Sequence, residues 1–227
     1  MREMRTVLVL LVGLLPAWSV KNRLLNALGH RIHPSARISP ILLLDVDVLE
    51  MGEGSDIWLG NRFAGLRHVR LGADVTVMGY NHVWADRGVD IRSSPEPELA
   101  GLLSLDDHSV VNKGHSLDCT GGFLVGSWSG LGGRHIAVFT HELDPQVGAV
   151  VCAPTRVGSN SMVAARTTLA VGARLPDFCA LGIGAVLLPG AEQTHHLYGG
   201  IPAKPLRAVG DWKAMADRTS RRPELQR

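Results

Sequence analysis

Residues 157–187 read VGSNSM VAARTT LAVGAR LPDFCA LGIGAV L, and an aliphatic side chain opens every group of six: Val157, Val163, Leu169, Leu175, Leu181 and Leu187. A period of six is a multiple of the strand period of two and a poor match to the helical 3.6, so all six side chains can share one side of a sheet-like coil. Between them lie small or turn-forming residues, among them Gly158, Asn160, Gly172, Pro176, Gly182 and Gly184. One hexad is too short to bury its own aliphatic residue. The pattern therefore predicts a solenoid whose stacked coils build a continuous core. Six aliphatics aligned by chance in an ordinary α/β domain is the competing reading, and the strict register disfavours it.

The period extends upstream with slips. It runs through Ile32, Ile38 and Leu44, then Met51, Ile57 and Phe63, then Leu71, Val77 and Val83. It returns at Val111, Leu117 and Phe123, slips by two, and gives Val125 and Leu131. Slips of one or two residues are what a solenoid tolerates at its corners. The period fails twice, over about residues 84–108 and over residues 136–154. Both are read as segments expelled from the coil, long enough to carry function. The expected organisation is a helical segment at 1–30, a coil at 31–210, and a tail at 211–227 with a short helix from Asp211.

Residues 1–5 (MREMR) are polar and basic, and residues 7–15 (VLVLLVGLL) are apolar. Nine residues are too few for a membrane-spanning helix, which needs about 20. The pattern matches a signal peptide but lacks an A-x-A-like cleavage site, so a segment on a membrane surface or a cap on the solenoid is the expected role. Ser19 is a plausible N-cap for a second helix in which Val20, Leu24, Leu25 and Leu28 share a face, with Gly29 as its stop. That helix either closes the first coil or rests on anionic lipid, the second reading making residues 7–28 a peripheral membrane contact.

The chain has 227 residues and 45% hydrophobic content, ample for one substantial domain. Its 26 Gly against four Phe and two Tyr suit a narrow interior filled by aliphatics. A net charge of +2 gives no argument for a nucleic-acid partner. Cys119, Cys152 and Cys179 are odd in number and widely spaced, which argues against a disulfide framework or zinc ribbon and for a reducing, cytoplasmic setting.

A solenoid of small coils has no deep pocket, so its chemistry belongs on loops or between copies. The second interruption carries Thr140-His141-Glu142-Leu143-Asp144-Pro145, and histidine is the side chain best suited to taking a proton near neutral pH. A loop histidine is also commonly structural.

The hexads, the Thr140-His141-Glu142-Leu143-Asp144 segment and the terminal Gly200-Ile201-Pro202-Ala203-Lys204 together resemble the hexapeptide-repeat acyltransferases. The nearest branch is similar to the maltose, galactoside and polysaccharide O-acetyltransferases, whose pattern there is T-H-P-L-D and G-N-P-A-K. The resemblance covers roughly residues 30–210. It implies an all-β fold, a left-handed parallel β-helix that is usually a homotrimer and passes an acyl group from coenzyme A to a hydroxyl. Acetyl-CoA or another acyl-CoA is then the cosubstrate, the acceptor is a sugar or glycan precursor, and no metal is expected. By the same resemblance His141 is the general base; Asp144 or Glu142, nearby in sequence, is a candidate to orient it, with a turn residue as the alternative. Ala165 and Ile183 fall where the family's backbone meets coenzyme A, and Lys204 and Arg207 match its phosphate-binding charges. His115 and Asp118, in the run His115-Ser116-Leu117-Asp118-Cys119-Thr120-Gly121-Gly122, are assigned to the acceptor side, with a structural turn as the alternative. The sequence departs from the pattern at Met162, Leu188-Pro189 and Pro205.

Two other functions compete. A hydratase of the carbonic anhydrase type shares this coil and would use three His on zinc, but the expected His pair four residues apart is absent. A non-catalytic scaffold would be favoured by a His141 buried and bonded inward.

Overall fold

A computed structural model describes residues 2–210, so the helix expected from Asp211 lies outside the described residues. From residue 31 the chain winds as a three-sided prism of short parallel strands, with seven strands on the first face, seven on the third and nine on the second, the last of which is antiparallel. Successive hexads take successive faces. In the strict stretch Val157 pairs with Leu175 on the first face, Val163 with Leu181 on the second and Leu169 with Leu187 on the third. All six side chains are buried, and each inward Val or Leu contributes about 1.5–3 kcal/mol of burial.

The corners explain the residues between the aliphatic marks. The fourth residue of each hexad, at Asn160, Arg166, Gly172, Phe178 and Gly184, has a positive φ between 52° and 71°. Each coil must turn sharply onto the next face there, and glycine enters that region at no steric cost while Asn tolerates it.

Three expectations change in detail. Leu43, not Leu44, points into the core and pairs with Phe63, because the corner after Ile38 is one residue short. The first expelled segment runs only over residues 85–101, since the strand Leu102–Leu105 rejoins the first face with Leu103 and Leu105 buried. The second is narrower as well: Ala137–Val138 is a regular strand of the third face, and what leaves the coil is an antiparallel hairpin, His141–Asp144 with Ala149–Cys152.

Two helices cover the open end of the prism, α1 (Arg2–Gly13) and α2 (Ser19–Ala27). Ser19 is the first helical residue and makes no cap bond; Trp18 occupies the cap position. The buried face of α2 is Lys21, Asn22 and Leu25, with Val20 and Leu24 outside, which corrects the expected apolar stripe. Asn22 donates to the Ala36 carbonyl, and Asn26 bonds both the N–H and the carbonyl of Ile32, so α2 completes backbone groups of the first coil. Lys21 Nζ donates to the carbonyls of Gly13, Leu15 and Ser39 at 2.8–2.9 Å, which ties the end of α1 to the coil. Burial lowers this ammonium to about 8.

Candidate functional site

The site is built where the third face ends and the expelled hairpin begins. Asp118 closes the strand Ser116–Asp118 of the third face, and His141 opens the hairpin one coil later. His141 Nδ1 lies 2.8 Å from Asp118 Oδ2. The carboxylate is 1% exposed and the imidazole 21%.

Four other donors fix that carboxylate. Oδ1 accepts from the N–H and Oγ1 of Thr120 at 2.8 and 2.6 Å, and Oδ2 also accepts from the N–H and Oγ1 of Thr140 at 2.7 and 2.9 Å. Each hydroxyl has one proton, and both oxygens also accept a backbone N–H, Thr120 Oγ1 from Asp86 and Thr140 Oγ1 from Gly121. With Asp118 as a carboxylate both protons go to it, and it acts as an acceptor on every side. His141 Nδ1 must donate to it. The Nε2 lone pair is left free to take a proton.

Gly121 makes this packing possible. A Cβ on it would stand 2.5 Å from the Thr140 carbonyl and 2.8 Å from that of Ala153.

Beside the pair, the Trp84 indole meets the His141 ring edge-on with centroids 5.6 Å apart, and His82 stacks on Trp84 at 6.3 Å. Arg62 Nη1 donates to His82 Nε2 at 3.0 Å. Burial, then the neighbouring Arg62 cation, lower the His82 imidazole, consistent with a neutral ring that accepts. Arg62, His82 and Trp84 line a groove of about 450 Å³ with Asp86 and Arg87. Arg87 is committed elsewhere, to ion pairs with Asp45 and Asp47 that pin the base of the expelled loop. That loop also reaches the hairpin and the first face, through Ser93 to Cys152 and through the Glu96–Arg156 ion pair. A larger depression of about 820 Å³ lies along the first face, where Arg31 pairs with Glu50, Arg70 with Asp106, and Asp107 accepts from the Ala73 N–H.

The residues singled out in the sequence are distributed unevenly. His115 is 2% exposed and its Nδ1 accepts from the Ile136 N–H, so it is a core residue and not an acceptor contact; burial lowers it to about 4. Asp118 touches His141 and is shielded from any acceptor. The candidates for orienting His141 do not reach it: Asp144 accepts from the Gln146 N–H in the hairpin turn, and Glu142 is exposed. Cys119, Cys152 and Cys179 are all buried.

Ala165 and Ile183 stack at the corner between the second and third faces, where the Gly184 N–H donates to the Ala165 carbonyl and Ile183 is 77% exposed. His141 is at the far edge of the third face, so one chain does not bring these residues to the base. Arg134 and Arg166, which the sequence reading missed, share that corner through the Arg166 N–H to Arg134 carbonyl bond. Lys204 and Arg207 lie on the strand Ala203–Ala208, which folds back on His196–Gly200 at the foot of the second face. Neither pairs with a carboxylate among the described residues. Lys204 lines a cavity of about 320 Å³ with Leu188, Pro189 and Tyr198. Among the described residues of one chain no three His, Cys, Asp or Glu side chains converge to hold a metal.

No protein-family profile matches the chain, and no curated protein matches it in sequence. Solved structures do. A hexapeptide-repeat containing acetyltransferase from Vibrio cholerae is similar over 92% of this chain and 91% of its own, at 14% identity and TM-score 0.51. AntD, an N-acyltransferase from Bacillus cereus solved with dTDP-4-amino-4,6-dideoxyglucose and coenzyme A, is similar over 74% of this chain and 85% of its own, at 9% identity and TM-score 0.53. The fold is thus the left-handed parallel β-helix of the hexapeptide-repeat acyltransferases.

Proposed function

We propose that the chain is an acyl-CoA-dependent O-acyltransferase that acylates a sugar hydroxyl, with His141 as general base and Asp118 as the group that orients it. The observation that carries this reading is the buried, fully bonded carboxylate against Nδ1, which leaves the Nε2 lone pair free on a ring packed edge-on against Trp84. An alcohol is a weak nucleophile. An imidazole within hydrogen-bond reach takes its proton as the oxygen attacks, and later returns that proton to the departing sulfur. Asp118 stabilises the cation that His141 becomes in between. Trp84 offers the flat apolar surface on which a sugar ring can rest, and Arg62 offers a cation for an anionic group on the acceptor.

The residues fit coenzyme A at the other edge. When bound, the cosubstrate supplies the acyl group as a thioester. Ala165 and Ile183 would hold its arm through backbone groups, and Lys204, Arg207, Arg134 and Arg166 are cations suited to its phosphates. Because this corner and His141 are on opposite edges of one face, a complete site needs a neighbouring copy. That supports the homotrimer implied by the resemblance. The similar structures support the cosubstrate and a nucleotide-sugar type of acceptor, since one of them was solved with both kinds of ligand.

The test is to incubate the pure protein with acetyl-CoA and a panel of sugars, sugar phosphates and sugar nucleotides, reading thiol release and product mass. The expected product carries an acetyl ester. His141→Ala should lose transfer while keeping coenzyme A affinity, and near-normal turnover in that variant would remove the base assignment.

A further inference from the structure

The face of α1 turned away from the coil has no partner among the described residues. Val9 and Gly13 pack inward, where a Cβ on Gly13 would touch Leu43, while Met4, Val7, Leu8, Leu11, Leu14 and Trp18 form an exposed apolar stripe. Leu11 is 56% exposed and Trp18 62%, and Val20 and Leu24 on α2 extend the surface. A contiguous apolar patch of this kind marks an interaction site.

Charge identifies the partner. Residues 1–44 hold six of the 23 basic residues but one of the 21 acidic ones, whereas residues 45–210 are net acidic; of the six, Lys21 is buried and Arg31 pairs with Glu50, and Arg23 and Arg37 stand exposed at this end. Two copies meeting through the stripe would bring like charges together. An anionic lipid surface would meet opposite charge and cover the apolar stripe at once. No helix among the described residues is long and apolar enough to cross a membrane. At 12 residues, or about 18 Å, α1 suits an orientation in the plane of the surface, with the Trp18 ring at head-group level.

The same helix lies one strand away from the acceptor groove. It packs on the strand Leu42–Leu44, the first of the third face, where Leu42 is exposed and pairs with Arg62, which in turn pairs with His82. Moving away from the apolar stripe, the order is therefore Leu42, a guanidinium whose partner is a neutral imidazole, the Trp84 platform, and His141. From Arg62 to the coil of His141 is three ladder steps, on the order of 15 Å. We infer that α1 and α2 seat the protein on an anionic lipid surface, and that the groove beside them takes a saccharide joined through phosphate to a membrane lipid, with Arg62 at the phosphate and Trp84 under the sugar. The docking half stands on the stripe and its charge; the acceptor half rests on the acyltransferase reading above.

Flotation of the full chain with phosphatidylcholine vesicles, with and without about a quarter phosphatidylglycerol, tests the docking half. Binding is expected only with the anionic lipid. Leu8→Asp with Leu11→Asp should weaken it by about tenfold or more without lowering the melting temperature or the transfer to a soluble sugar phosphate. Arg23→Glu, an exposed change on α2, should weaken it at low salt. Wild-type protein that ignores anionic vesicles, or that self-associates through the stripe and dissociates on the Leu8 and Leu11 changes, overturns the lipid assignment. Arg62→Ala should raise KM for a glycosyl phosphate and leave that for the neutral sugar alone; equal effects on both overturn the phosphate assignment. Vesicle binding with no acyl-CoA-dependent transfer to any acceptor would overturn the enzymatic reading and the acceptor half with it, and leave docking supported.

Discussion

Asp118→Asn is the substitution that tests the site most directly. The carboxylate accepts five hydrogen bonds, two on Oδ1 and three on Oδ2. An asparagine keeps one acceptor oxygen and puts an NH2 against donors on the other side. If the NH2 faces Thr140 and His141, the imidazole can relieve the conflict by accepting at Nδ1 and carrying its proton on Nε2, where no base then remains. If it faces Thr120, the N–H of that residue loses its partner inside the protein. Wrong-tautomer losses of this kind reach about 10⁴ in the serine-protease triad, and a loss of about 10²–10⁴ in kcat, or ~3–5 kcal/mol, is expected here. Each buried group left unpaired costs about 1–3 kcal/mol of stability, so the variant should also melt lower. Thiol release from acetyl-CoA at saturating acceptor reads kcat, calorimetry reads stability, and coenzyme A affinity should not move. Glu142→Gln and Asp144→Asn serve as controls that stay within about twofold of the parent. Turnover within tenfold of the parent in well-folded Asp118→Asn would refute the argument that this carboxylate sets the working tautomer.

Other consequences follow from the same geometry. Gly121→Ala places a methyl on the Thr140 and Ala153 carbonyls and should displace His141, lowering kcat by about tenfold or more; an unchanged rate with intact folding would show the approach is not needed. Leu169→Ala, at a fully buried mark of the strict stretch, should cost about 2–5 kcal/mol in denaturant unfolding while activity per folded molecule is kept. His30 and His115 are held near 4 by burial, against 6.5 when free, so the unfolded chain binds more protons than the folded one as pH falls from 6.5 to 4. Stability should therefore drop by about 2–3 kcal/mol for each between pH 7 and 4.5, and His115→Asn should flatten about half of that slope in denaturation series run at both pH values. Lys21→Met removes three bonds to carbonyls and should release α1, seen as faster amide exchange in residues 3–13 with the strict coils unchanged.

The period of six in residues 157–187 was sufficient to read the prism, because the requirement it encodes is local. One side chain in six must point inward and the residue three places on must turn a corner, whatever coil lies above or below. Likewise His141 stands out in the sequence because the regular repeat breaks around it. What touches what between coils was decided only by the tertiary structure. Asp118 is 23 residues from His141, and that separation becomes a 2.8 Å contact only because of how many residues this particular coil holds. His115, three residues away in the same polar run, is turned into the core by the alternation of the strand and ends as a buried acceptor for Ile136. Glu142 and Asp144 are closer in sequence to His141, yet the hairpin carries them outward. A repeat fixes which side chains face in, whereas the partners of a buried polar group depend on the count of residues in every intervening loop, and here those loops are the irregular part of the chain.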